Sequence, residues 1–429
     1  MAQKLKFGNG TWATKKGSTL AYNDQNNNYK PLPFTTTRNS IATRVNKEGL
    51  IEVVGKDKLR IDYTDSAKGV ALLENSSTNL VTYSEDFSNA AWTKSNSSIT
   101  SNSVISPDGT LNASKLTEDT SNSTHRISDT IFVSGTGVIY TQSIFAKSGG
   151  NGRYLRIFRG SGTYNYAVFD LENGVIFSQG GSNIISTKIE KYPNGWYKCS
   201  STFTTQFSNI ATYYAIQNGS LDTYTGDGTS GVYIWGAMLE EGSYPTSYIP
   251  TNGSAVTRSA ETANGAGNSE VFNDSEGVLF ANISALADDG GTFRWINLSN
   301  GLTSNRVAFY YRPDINQLTY LITSNGAAQV FSTVTLSSAS SFNKILAKYK
   351  QNDFSLWING YELITDTSGN VPVGLNELSF DNAVGGDNFY GKTKEIGYYD
   401  TALTDEELEY LTSYRSLNEL VTELNLNTL

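Results

Sequence analysis

Cysteine and histidine are almost missing from this sequence: one of each in 429 residues, Cys199 and His125. A single thiol excludes an internal disulfide, and two potential ligands cannot build a zinc site of Cys and His. Cys199 stands in the alternating run Trp-Tyr-Lys-Cys-Ser at 196–200, the setting of a buried, unreactive thiol. His125 would have to serve any Ser-His-Asp arrangement, yet its polar surroundings hold no Gly-x-Ser-x-Gly elbow. Charge is sparse too. Charged residues make up 17% of the chain, and 32 Lys and Arg against 41 Asp and Glu give a net charge of −9. The positive charges are dispersed, which excludes the concentrated basic face that a nucleic acid needs. No long apolar run is present to form a membrane-spanning helix, and residues 1–10 lack the apolar stretch of a secretory signal. Phosphate-binding and dinucleotide fingerprints are missing as well. A glycosidase needs only two carboxylates, but no Glu-x-Asp-x-Glu pattern lies on an alternating strand. These absences together predict a chain that is not an enzyme.

What is abundant is Ser, Thr, Asn and Gly, with 26 Tyr, 19 Phe and 6 Trp. The small polar residues favour turns over helix interiors, and aromatics pack well on pleated sheets. The expected fold is all-β: two jelly-roll-type antiparallel β-sandwiches preceded by a small, irregular N-terminal segment. Residues 1–75 read as that segment, serving attachment or assembly, or else as an extension of the next sandwich. A first sandwich is expected over 76–257, with short strands at 137–146, 153–158, 166–169, 196–203, 211–217 and 231–239. Asn173-Gly174 suits a hairpin turn there, because Asn and Gly tolerate positive φ. The Gly/Ala/Asn/Ser-rich stretch within 258–269 reads as a linker. A second sandwich is expected over 270–415, with a hairpin turning at Asn359-Gly360. A short helix should follow, opened by Thr404 as N-cap and Glu407 as the partner in a capping box. The tail, 416–429, places Leu417, Leu420 and Leu424 at helical spacing, which favours a subunit contact.

Recognition, if this chain performs it, falls to aromatic side chains. Sugar rings present apolar C–H faces that stack on Tyr and Trp, while Asn, Asp and Gln suit their hydroxyls. Tyr164 and Tyr166 lie in one polar, turn-rich stretch, and Tyr310, Tyr311 and Arg312 in another. If these rings are exposed beside polar donors they favour binding, and if buried they favour a structural role. Trp196, Trp235 and Trp357 sit in strand-like runs and read as core. Asp227, in Thr-Gly-Asp-Gly-Thr, and Asp387, in Gly-Gly-Asp-Asn, read as ordinary turn residues, with a Ca²⁺ site as the alternative. No other cofactor is expected.

Two phrases carry a resemblance. Residues 78–87, Thr-Asn-Leu-Val-Thr-Tyr-Ser-Glu-Asp-Phe, followed by Trp92, resemble the opening of a carbohydrate-binding-like sandwich domain common in bacteriophage tail and fibre proteins. Residues 232–243, then Thr246-Ser247-Tyr248-Ile249-Pro250-Thr251 and Thr257-Arg258, are similar to its close. Residues 38–63 look like the segment that precedes this domain in phage structural proteins. Residues 270–415 resemble a laminin-G/concanavalin-A-like domain through Leu356-Trp357-Ile358-Asn359-Gly360 and Glu395-Ile396-Gly397-Tyr398-Tyr399-Asp400. The resemblance covers most of 38–415. It implies a virion fibre protein of the tail or head, assembled in the bacterial cytoplasm. The N-terminal segment would hold other virion proteins, and the chain would associate with itself as a trimer. Its implied function is binding host-surface polysaccharide for adsorption. The alternative is a purely structural decoration or connector protein.

Overall fold

The computed structural model describes residues 3–8, 13–15, 18–23, 29–31, 34–133, 135–159, 165–206, 209–287 and 291–414. The leucine-bearing tail lies outside them. By contact the chain divides into two units. The central unit is Ser40–Val54 with Ser76–Ser259; the C-terminal unit is Met1–Asn39, Gly55–Asn75 and Ala260–Leu429. Both are built of antiparallel sheets, as the composition predicts.

In the central unit one sheet consists of β1 (Thr93–Ser95), β2 (His125–Phe132), β3 (Arg153–Arg159), β4 (Asn165–Asp170), β5 (Val175–Gly180) and β6 (Asn209–Asn218). Their spatial order is β1-β2-β6-β3-β4-β5. The facing sheet runs Ser97–Val104, Ala113–Glu118, Gly231–Glu241, Ile139–Ser148, Trp196–Thr204 and Ile184–Lys191. Side chains alternate across a strand. Ile127, Leu155, Ile157, Phe169, Tyr214 and Ile216 therefore meet Leu116, Ile144, Cys199, Val232 and Ile234 between the sheets. The expected hairpin after β4 is present as a four-residue loop, closed by Gly174 N–H donating to Asp170 O at 2.9 Å.

The outer face of the facing sheet is covered. Gly236, at φ +64°, makes a bulge opposite Ile139–Ser148, where the pairing skips from Ser143–Met238 to Phe145–Trp235. A bulge shifts the alternation by one residue. Val232 and Ile234 before it, and Ala237 and Leu239 after it, all point inward. Trp235 and Met238 then point outward with Ala113, Phe145 and Trp196, under Tyr248, Ile249 and the hairpin residues Val45 and Ile51. The hairpin Ala42–Val45/Ile51–Val54 is fixed there by Ile51 N–H donating to Pro107 O at 2.9 Å. Trp196 and Trp235 are buried as expected.

The two phrases behind the resemblance meet in this unit. The Asn79 amide donates to Ala237 O and Ile249 O and accepts from Val81 N and Leu239 N. The Tyr248 hydroxyl lies 2.8 Å from Ser84 Oγ and donates to Glu85 at 2.8 Å. At the other end, buried Glu118 accepts from Arg153 through both oxygens (2.9 and 2.8 Å) and from the Tyr224 hydroxyl at 2.6 Å. Burial alone would raise this carboxyl. The bonds from Arg153, Tyr224 and Asp227 N–H outweigh it and hold the group below its ordinary range.

In the C-terminal unit, one sheet orders Tyr361–Asp366, Phe354–Ile358, Asn343–Lys350, Glu276–Ala285, Gly391–Tyr399, Val70–Leu73 and Arg60–Asp62, with Gln3–Gly8 also on Gly391–Tyr399. The other orders Ala327–Thr335, Gln317–Ser324, Arg306–Tyr311, Arg294–Ser299 and Glu377–Ser379. Leu279, Ile283, Ile296, Phe309, Tyr320, Ile345, Leu356 and Ile396 fill the space between. The helix Asp405–Thr412 forms with the expected capping box, Thr404 N–H donating to Glu407 at 2.9 Å. Leu408, at its centre, packs with Trp357 and Tyr399 on the outer face of the larger sheet.

The first 75 residues are not a segment apart. They give strands to the C-terminal unit and the covering hairpin to the central one. The expected linker is not free either. Thr262–Asn264 pairs with Thr35–Thr37, and Ala266 N–H donates to Leu378 O. The reason is Glu261, which composition cannot flag. It is buried, ion-paired to Arg38 and Arg60, and accepts from Glu74 N–H at 2.9 Å; Arg60 also pairs with Glu74 at 2.8 Å. Two guanidinium groups and two carboxylates, each at most 4% exposed, balance to zero charge.

Two outcomes follow from these clusters. Glu261→Ala leaves two buried guanidinium groups to share Glu74, one positive charge in excess, and should cost roughly 3–5 kcal/mol in chemical denaturation; a loss below 1 kcal/mol would contradict the cluster's role. Glu118, with its folded pKa below the unfolded 4.5, stabilises the protein above that pH and loses its effect as pH falls through the folded value. Melting curves of Glu118→Gln should accordingly lie below wild type at pH 7 and converge with it at strongly acidic pH; a constant gap would refute this.

Candidate functional site

The other outward sheet side of the central unit is that of β2, β6, β3 and β4, where Phe158, Arg156, Ala215 and Val168 are buried and Arg126, Tyr213 and Tyr166 are half-buried. On β3 the aliphatic residues Leu155 and Ile157 turn inward, so Tyr154, Arg156 and Phe158 turn outward. The same alternation puts Arg126 and Ser128 of β2, Tyr213 and Ala215 of β6, and Tyr166 and Val168 of β4 on that side. Register arranges them in two rows. Ser128, Tyr213, Phe158 and Tyr166 are cross-strand neighbours in one; Arg126, Ala215, Arg156 and Val168 in the next.

The aromatic row is a strip. Phe158 and Tyr213 stack with centroids 4.7 Å apart and planes 12° apart. The Arg126 guanidinium lies 5.0 Å from the Tyr213 centroid, and that of Arg156 lies 4.8 Å from Phe158 and 5.0 Å from Tyr166. Cation–π contact of this kind orients a guanidinium without consuming its N–H groups. Arg156 donates to Asp222 at 2.7 Å, whereas Arg126 has no carboxylate partner among the described residues. The Nε of each arginine is buried and without a hydrogen-bond partner there. Tyr154 and Phe177, with centroids 4.8 Å apart, extend the aromatic surface at one edge. Two basic groups beside a flat aromatic strip suit a ring with an apolar face and polar substituents.

Of the residues singled out in the sequence, Tyr166 belongs to this face, half-buried. Tyr164 lies outside the described residues. Tyr310 and Tyr311 are in the C-terminal unit and point to opposite sides of their strand. Tyr311 is core, 1% exposed, its hydroxyl donating to Ile283 O at 3.2 Å. Its candidacy as a ligand contact is corrected by the alternation that neighbouring strand residues obey. Tyr310 stacks on Trp295 at 3.7 Å but is 4% exposed. Residues 381–388 tie to this patch, with Arg306 donating to Asn382 O at 2.9 Å and Trp295 N–H to Asp387 O at 3.2 Å. Burial holds the Arg306 guanidinium below its ordinary range. Arg312 is engaged with Asp314 at 3.1 Å. By the criterion set above, buried rings favour a structural role for this unit; the same holds for Phe158, also 4% exposed, which leaves half-buried Tyr213 and Tyr166 as the rings of the central strip that reach solvent. A cavity of about 580 Å³ in the same unit, lined by Asn343, Asn359, Tyr361, Glu409 and Tyr414 among others, borders the last described residue.

The cation candidates are occupied by protein donors. Asp227 accepts from Thr229 N–H (2.7 Å), Thr229 Oγ1 (2.9 Å), Ser230 N–H (2.6 Å) and Ser230 Oγ (2.6 Å). These bonds, Ser230's foremost, hold its carboxyl far below the usual range. Asp387 accepts from the Asn382 amide at 3.1 Å. No group of three His, Cys, Asp or Glu suited to a metal occurs among the described residues. Cys199 is buried, which pushes its thiol well up. Both ring nitrogens of His125 face backbone carbonyls, Asn96 O at 2.7 Å and Tyr224 O at 3.2 Å.

Sequence reading missed Arg126, Arg156, Phe158 and Tyr213. The available signal was the composition of the polar half of β3, where Tyr, Arg and Phe alternate with Leu and Ile. A strand whose outward side should be Ser or Thr carries rings and guanidinium groups instead.

No family model and no curated protein matches the chain. Among solved structures, the Ruminococcus gnavus IT-sialidase CBM40 bound to α2,3-sialyllactose is similar over 35% of this chain and 94% of its own, with 15% identity and a TM-score of 0.29. Mouse laminin α1 domains LG4–5 align over 69% and 92%, with 8% identity and a TM-score of 0.25. Trypanosoma rangeli sialidase in complex with sialic acid aligns over 95% and 98%, with 8% identity and a TM-score of 0.28. The near full-length alignment to sialidases corrects the expectation that the chain is not an enzyme, and that exclusion is withdrawn. At these scores no fold or catalytic residue is transferred with the alignment; the sandwich assignment rests on the sheets themselves.

The saturation of Asp227 has a direct consequence. A ligand that binds only the folded state raises its melting temperature. Calcium at millimolar concentration, or its removal by chelator, should leave the melting curve unchanged, and a calcium-dependent rise abolished by Asp227→Ala would contradict this account.

Proposed function

We propose that this chain binds glycans, and that the outer face of β2, β6, β3 and β4 is where it does so. The observation that carries the reading is the pair of half-buried rings Tyr213 and Tyr166 on either side of buried Phe158, with the Arg126 guanidinium beside Tyr213. Aromatic rings supply stacking area for C–H faces, and guanidinium N–H groups donate to ring oxygens and hydroxyls. Each such bond replaces one to water and contributes only about 0.5–1.5 kcal/mol net. A single contact is therefore weak, and several copies displayed together bind far more strongly through effective concentration.

The sequence resemblance supports a finer reading: a bacteriophage virion fibre protein that engages host-surface polysaccharide, acts as a trimer, and contacts other virion proteins through its N-terminal residues. The burial of Tyr310 and Tyr311 favours a spacer role for the C-terminal unit within that reading.

Binding of the full-length protein to a microbial glycan array and to host cells tests the proposal, with reducing-end release scored in the same incubations. Tyr213→Ala and Tyr166→Ala should each weaken binding about three- to tenfold, the equivalent of losing roughly 0.5–1.5 kcal/mol of stacking. The melting temperature should change little, since neither ring is in the core. Arrays and cells that stay blank for the assembled protein, or binding indifferent to both substitutions, would overturn it.

A further inference from the structure

The cavity of about 580 Å³ in the C-terminal unit has exposed apolar side chains in its lining and stands where the described chain ends. We propose that it seats the chain's own C-terminal segment, with Leu417, Leu420, Val421 and Leu424 laid against Tyr361 and Leu363.

Three pieces of chain contribute to the lining: Glu409, Ser413 and Tyr414 at the end of the helix, Tyr361 and Leu363 of the strand Tyr361–Asp366, and the turn Asn359-Gly360 before that strand. Ile364 turns toward the core, so Leu363 turns away from it, and Tyr361 lies two residues earlier on the same side. Leu363 is 43% exposed and Tyr361 72%. The strand that bears them is the edge of its sheet, hydrogen-bonded only to Phe354–Ile358 among the described residues. Large apolar side chains grouped at the mouth of a cavity mark a surface that a partner covers.

The occupant is argued from where the chain leaves. Gly360 N–H donates to Thr412 Oγ1 at 3.1 Å, and the Tyr414 hydroxyl donates to Asn359 Oδ1 at 3.1 Å. Lys344 Nζ donates to Ser413 O at 3.0 Å and lies 5.0 Å from the centroid of the Tyr414 ring. At Ser413 the backbone has already left the helix, with ψ 153°. The last described residue is therefore fastened to the turn and is itself part of the lining. Leu417 follows three residues later, at most about 10 Å of chain away. In helical spacing Leu417, Leu420, Val421 and Leu424 share one face, with Glu419 and Thr422 opposite. A helix this short is marginal alone, so its apolar stripe needs cover. The cavity offers that cover at the point where the segment starts. Covalent attachment gives the chain's own tail an effective concentration on the order of millimolar, far above that of a second copy in dilute solution.

The test uses the full-length protein with Leu363→Cys combined with Leu420→Cys, and a control combining Leu363→Cys with Thr422→Cys. Leu363 is part-exposed, so its replacement leaves the fold in place, and buried Cys199 does not compete for oxidation. Under mild oxidation the Leu420 pair should close an intrachain disulfide, read as a faster-migrating monomer on a non-reducing gel and located by peptide mapping, several times faster than the Thr422 pair. A disulfide-linked dimer from the Leu420 pair would place the segment on a second copy and overturn the proposal. Equal behaviour of the two pairs would overturn it as well. As an independent readout, the triple variant Leu417→Ser, Leu420→Ser, Leu424→Ser should melt about 2–4 °C lower than wild type; an unchanged melting temperature would also refute the seat.

Discussion

A strand in a sandwich sends every second side chain into the core, so whatever the protein binds must be built from the remaining half. In the central unit that half is available on one sheet only. The Gly236 bulge turns Trp235 and Met238 outward on the other, where the 42–54 hairpin, Tyr248 and Ile249 cover them. The covered side consumes most of the large apolar residues that the alternation exposes. On the other sheet guanidinium groups and rings stack in register, Tyr213, Tyr166 and Arg126 half-buried at its surface, and its chemistry follows from which residues occupy β2, β6, β3 and β4.

The fold was largely legible. Period-two alternation and the turn residues Asn359-Gly360 located strands well, and Thr404 with Glu407 announced the one α-helix among the described residues. Domain organisation was less legible, because composition describes a stretch without its partners. The small residues at 260–269 read as a linker, yet Glu261 within them is locked by arginines from positions 38 and 60. Such long-range pairs have no local signal. The edge strand Ala327–Thr335 escaped notice too, because Phe331 on its exposed side breaks the apolar-in, polar-out alternation.

The site was legible only in part. Tyr166 was visible as an aromatic in a polar stretch, but its neighbours Arg156, Phe158 and Tyr213 come from strands whose inward aliphatics drew the eye. Tyr311 was misread because adjacency in sequence was taken for adjacency on a surface. The resemblance phrases sharpen the point. Asn79, Ser84, Glu85 and Tyr248 are hydrogen-bonded to one another's segments, so they hold the sandwich together and leave recognition to residues outside both phrases.

The central claim is a location. A crystal structure of the full-length protein soaked with the strongest binder from the glycan array tests it most directly. The account predicts a sugar ring stacked on Tyr213 or Tyr166, with its polar groups toward Arg126. A glycan seated against Trp295 and Tyr310, or on the covered sheet of the central unit, would contradict it.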